Sequence, residues 1–268
     1  MPQWAAFVGL TGFLLTALLA LARLSQRALS TESQPTDHPQ LRAVESRTYP
    51  RFETARAARI RTQRAAPPST GALLANVALT QGLFGVLVVG GAFLFAIPAT
   101  AFGVTPAPLS TGLPALALGV AAGVGFWTGS ELASLAGDGL GLSFDESLRS
   151  QLAPDSQVGW VVLLAGVLPT IAVVEELLFR AAAIGVPVAG LGAPAWLMVL
   201  VSSGAFALGH GAQGRVGMAV TGALGMALGA LFVLTESLLA VVVAHYLINA
   251  IELTVHEGLD IQLRDTVG

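Results

Sequence analysis
Seven apolar runs recur along this chain, at residues 4–22, 71–104, 109–136, 159–188, 193–210, 216–234 and 237–255. A helix needs about 20 consecutive apolar residues to cross the hydrocarbon of a bilayer. Inside lipid the backbone must bond to itself, which a helix does within one segment. Only 11% of the 268 residues are charged, whereas soluble domains carry about 25%. The expected fold class is therefore all-α: a polytopic membrane helical bundle of about seven transmembrane helices. The run at 71–104 has room for a tilted helix, or for a helix plus a re-entrant piece. No internal repeat is visible.

Cysteine is absent, which excludes disulfides, thiolate metal sites and a cysteine nucleophile. Lysine is absent too, and all thirteen basic residues are arginines. No basic side chain precedes the first run, and Arg23 and Arg27 follow it. That is the reverse of a cleaved signal peptide, so residues 1–24 are expected to form an uncleaved anchor with its N-terminus outside. The cytoplasmic segments are then 23–70, 137–157, 211–215 and the C-terminal tail. Twelve of the thirteen arginines lie in them and only Arg180 does not, in line with the positive-inside rule. Residues 25–70 read as an Arg-rich cytoplasmic loop, partly disordered; Arg56, Arg59 and Arg64 recur near helical spacing, which also suits an anionic membrane surface. Residues 71–157 read as accessory transmembrane helices and an acidic link, 158–256 as the functional core and 257–268 as a tail. The expected location is the plasma membrane.

Polar side chains deep in the later runs are few: Glu175, Glu176 and Arg180 in the fourth, His210 closing the fifth, and His245, Asn249 and Glu252 in the seventh. Ionisable groups in a membrane are costly and usually functional. Glu176 and Arg180 stand four residues apart and can pair on a helix. Glu175 lies about 100° round from Glu176, so one carboxylate can be neutralised while the other faces a cavity. Phe206 and His210 share the spacing of four, as do His245 and Asn249, and Glu252 and His256 extend the latter stripe, with His256 near the interface. At the helical rise, Glu175, His245, Asn249 and His210 lie about 18, 14, 20 and 25 Å from the outer face. Their convergence on one polar intramembrane cavity requires a long fourth helix, which Pro169 is expected to kink. The sixth run, with Gly217, Gly222, Gly225 and Gly229, permits close helix packing.

Such a set suits peptide hydrolysis. Glu175 can act as general base toward water, His210 can orient that water or serve as acid, and Asn249 and His245 can donate to a developing oxyanion. A zinc version is chemically admissible with Glu175, His210 and His245 as ligands, although no His-Glu-x-x-His sequence is present. The same buried groups would also serve a proton-coupled transporter, which usually shows repeats and broken helices, or a non-catalytic membrane adaptor.

The stretches "EELLFR", "FALGH" and "HYLIN" resemble, in order and separation, the motifs of the CPBP family of intramembrane proteases. That family includes the type II CAAX prenyl endopeptidases and the bacteriocin-processing and self-immunity (Abi) proteins. The resemblance covers about residues 155 to 255. It implies a helical core around a cavity open to the cytoplasm, with Glu175 and His210 activating water, His245 and Asn249 stabilising the oxyanion, and Glu176, Arg180 and Phe206 in support. It favours glutamate-dependent chemistry with no metal or other cofactor. The implied partners are a peptide or protein substrate, with or without a lipid, and the bilayer; nothing points to nucleic acid.

Overall fold
The computed structural model describes residues 1–32, 69–139 and 147–261, and among them every regular element is helical. In chain order these are α1 (Trp4–Glu32), α2 (Thr70–Leu94), α3 (Leu113–Gly139), the short α4 (Ser147–Leu152), α5 (Gln157–Leu191), α6 (Ala195–Gly209), α7 (Gly214–Thr235) and α8 (Leu238–Leu253), which a π turn extends through Thr254–Gly258. Single helical turns at Ala99–Phe102 and Pro108–Thr111 join α2 to α3. Six of the helices are long and apolar enough to cross a membrane, and the chain is an integral membrane protein.

The fifth apolar run, 193–210, takes a shorter form. Helix α6 has 15 residues, a rise of about 22 Å against hydrocarbon of about 30 Å. The run at 71–104 divides into α2 and the turn at Ala99–Phe102, with Ala96 and Gly103 at positive φ between and after them. Helix α1 continues to Glu32, past the expected start of the loop at residue 25. Its apolar part ends at Leu24, but no glycine or proline stops it before Pro35. The rest of the Arg-rich stretch, from residue 33 to 68, and most of the tail lie outside the described residues.

Helix α5 is the long helix that convergence of the polar residues requires, at 35 residues. It contains two π segments, Leu163–Val167 and Leu177–Gly185. Each ends two residues before a proline, Pro169 and Pro187. Proline offers no N–H to the ladder and its ring crowds the carbonyl four residues back. A widened turn absorbs that conflict without ending the helix.

Small residues set the spacing of the bundle. Along α7, a Cβ added at Gly222, Gly225 or Gly229 would stand 3.0–3.3 Å from Ala207, Phe206 or Val199 of α6. On α3, a Cβ at Gly119 or Gly123 would meet the α8 carbonyls of Ala240 and Ala244 at 2.7 and 2.9 Å. The start of α8 is fixed by a polar knot at the α2–α3 connection. Ser237 Oγ donates to the Ser110 carbonyl at 2.7 Å, Ser110 Oγ donates to the Gly103 carbonyl at 2.8 Å, and the Leu238 N–H donates to that same carbonyl at 3.1 Å. This anchors the helix that carries His245 two turns further on.

Candidate active site
The fourth and seventh runs meet through Glu176. Its Oε1 accepts from Arg180 Nη1 at 2.8 Å along α5 and from His245 Nδ1 at 2.6 Å across to α8. All three side chains are buried. Arg180 is further satisfied by the Gly225 carbonyl of α7, 3.3 Å from Nη2. The glycine-rich face of α7 therefore does more than pack: it brings a backbone acceptor to the guanidinium. Glu176 and Arg180 straddle the start of the second π segment, a local form that often marks functional positions.

A carboxylate only accepts, so the proton on Nδ1 of His245 is fixed and Nε2 is the nitrogen left to act. That Nε2 lies 3.7 Å from Oε2 of Glu175. Glu175 is buried as well. Its Oε1 accepts from Gln81 Nε2 of α2 at 3.0 Å, while its Oε2 is buried with no hydrogen-bond partner. Of the two adjacent carboxylates, one is thus held by arginine and the other faces open space, as their angular separation predicts.

His210 caps the C-terminal end of α6. Its Nδ1 donates to the Phe206 carbonyl at 2.9 Å, which again leaves Nε2 available. The Phe206 ring stands among four neighbours. Its centroid is 4.5 Å from that of His210, 6.0 Å from that of His245 and 5.0 Å from that of Phe179, and the Arg180 guanidinium lies 4.6 Å above it. Phe206 is the spacer that separates the two imidazoles.

Glu175, His210, His245 and Asn249 all line one cavity of about 590 Å³, together with Gln81 and Phe206. Its other end is also charged. There Glu252 accepts from Trp127 Nε1 at 3.1 Å and pairs with Arg149, which also reaches Glu257 at 2.8 Å. His256 Nε2 contacts Glu131 at 3.1 Å and Glu252 at 3.6 Å. Among the described residues only Glu131, Glu252 and His256 bring three ligating atoms within 4.8 Å of one another. Glu175, His210 and His245, the ligands of the alternative zinc version, do not form such a set. The sequence reading had not singled out Gln81, Glu131, Trp127 or Arg149. For Gln81 the signal was present, a carboxamide deep in an apolar run.

These features define a membrane-embedded helical bundle with a buried acid–imidazole–amide cavity. Residues 157–251 match the family described as Type II CAAX prenyl endopeptidase Rce1-like. This is the family that the three motifs resemble, and the likeness is to intramembrane endopeptidases. No curated protein and no solved structure matches the chain.

Proposed function
We propose that the protein hydrolyses a peptide bond close to the membrane, near the C-terminus or in a juxtamembrane segment of its substrate, by glutamate-activated water. The observation that carries this reading is Glu175: a buried carboxylate with one oxygen bonded and one unpartnered, in the same cavity as two imidazoles and an amide. Glu175 takes a proton from water, whose oxygen attacks the scissile carbonyl carbon. His210 Nε2 orients that water. The tetrahedral oxyanion accepts hydrogen bonds from Asn249 and from His245 Nε2. Nε2 donates when the ring carries a second proton, whose charge the neighbouring carboxylates balance. The C–N bond then breaks and the proton held by Glu175 passes to the leaving amine. Glu176, held by Arg180, keeps the Nδ1 proton of His245 in place and fixes the ring so that Nε2 faces the cavity. No step is routed through a metal.

The cavity lining includes Arg149 and Gln213, from the links 137–157 and 211–215 that the arginine distribution assigns to the cytoplasm. This supports a cavity entered from the cytoplasmic side of the plasma membrane.

The test is cleavage by the full-length protein in detergent. The probes are quenched fluorescent peptides, one ending in a farnesylated CAAX box and others carrying unmodified membrane-proximal sequences, each run with and without chelator. Cleavage that survives chelation and falls at least about 10²-fold in Glu175→Gln is expected. Cleavage untouched by Glu175→Gln, or proton-coupled uptake requiring Glu175 with no cleavage of any probe, would overturn the reading.

A further inference from the structure
We infer that Gln81 of α2 is a positioning residue for the Glu175 base, an inference that rests on the proteolytic reading above. Gln81 lies outside the matched segment 157–251, so the motifs do not imply it. A carboxylate only accepts, so the amide nitrogen of Gln81 faces Glu175 Oε1 at 3.0 Å. That bond ties down one carboxylate oxygen. The other, Oε2, is left without a partner on the side of His245 Nε2. Gln81 thereby selects Oε2 as the oxygen that receives the proton from water.

Two further observations set this apart from ordinary packing. The carbonyl oxygen of Gln81 is itself buried without a hydrogen-bond partner. A glutamine serving as structural glue has both ends satisfied; this one makes its hydrogen bond to Glu175 alone among the described residues. Second, Gly85 stands one turn further along the same face of α2. A Cβ there would come 2.9 Å from Cγ2 of Val174, the residue before Glu175. The missing side chain lets α2 approach α5 at the level where Gln81 reaches the carboxylate.

The experiment uses the full-length protein in detergent and the peptide probes named above. Gln81→Met keeps the length and removes the donor. It is expected to lower kcat about 10- to 100-fold while KM stays within about twofold and the unfolding temperature holds, because a misaligned base slows the chemical step and leaves binding intact. Gln81→Leu, which also lacks the donor and cannot take up a proton, is expected to behave alike, and it stands in should the methionine variant fail to fold. In a Glu175→Gln background neither substitution lowers the residual rate further. An unchanged kcat in both variants, beside an active wild type, overturns this inference and leaves the proteolytic reading in place. An equal loss in the Glu175→Gln background overturns it as well, since that would mark a merely structural residue. A wild type that cleaves no probe defeats the proteolytic reading, and the role of Gln81 with it.

Discussion
Nδ1 of His245 and Oε1 of Glu176 lie 2.6 Å apart across two helices, and that oxygen also holds Arg180 at 2.8 Å. One carboxylate oxygen therefore sets the charge balance of α5 and the tautomer of the α8 imidazole. Removing it leaves a buried guanidinium with the Gly225 carbonyl and the Phe206 ring as its partners and no carboxylate bonded to it. Loss of one member of a buried pair costs about 3–5 kcal/mol, so Glu176→Ala is expected to lower the unfolding temperature sharply and abolish cleavage together. Adding Arg180→Leu recovers stability without recovering activity, because the imidazole stays unheld. Thermal unfolding in detergent beside a cleavage assay checks both. An active double variant would mean that His245 needs no fixed tautomer.

Glu175 differs in place. Its Oε2, like that of Glu176, is a buried acceptor with no hydrogen-bond partner, but of the two only Glu175 lines the cavity, where that cost to the fold is one function would justify. Glu175→Gln puts a neutral amide of the same shape into the cavity. Cleavage is expected to fall by about 10²- to 10⁴-fold, as for loss of a general base, while the unfolding temperature stays level or rises. A marked fall in stability would show that Glu175 is structural.

The spacings of four residues made much of this site legible. Glu176 with Arg180, and Phe206 with His210, meet as helical geometry requires, and the one-residue offset of Glu175 turns it to the cavity. The need for a long fourth helix followed from depth alone. What the sequence concealed depends on contacts between distant helices. Gln81 reaches Glu175 over 94 residues, and nothing local to either residue encodes that meeting. The double role of Glu176 is of the same kind, since only the packing of α8 on α5 brings His245 to it. Apolar content likewise does not fix length, so α6 read as a crossing although it spans 15 residues.

Phe206 offers a further check. Its ring touches both imidazoles and lies under Arg180. Phe206→Leu keeps an apolar filler but removes the flat spacer and the cation–π contact. A loss of about 1–3 kcal/mol in stability is expected from the smaller volume and the lost contact. The kcat is expected to fall about tenfold as the imidazoles lose register. Stability and kinetics measured on the same preparation separate the two effects. Full kcat in a destabilised protein would show that other contacts space His210 and His245.

The approach of α2 to α5 can be tested by compensation. Alanine is the better helix former by about 1 kcal/mol, so propensity alone makes Gly85→Ala stabilising. The new Cβ, however, would stand 2.9 Å from Cγ2 of Val174, and a β-branched side chain in a helix has little rotamer freedom with which to yield. Gly85→Ala is therefore expected to push α2 outward and to lower kcat by weakening the reach of Gln81. Val174→Ala removes the obstructing methyls and is expected to restore kcat in the double variant. The cycle of four proteins should give a coupling of at least about 1 kcal/mol, outside the range of independent sites. Additive effects on kcat would mean that α2 and α5 do not meet at this point, and that the bond between Gln81 and Glu175 does not depend on the missing side chain.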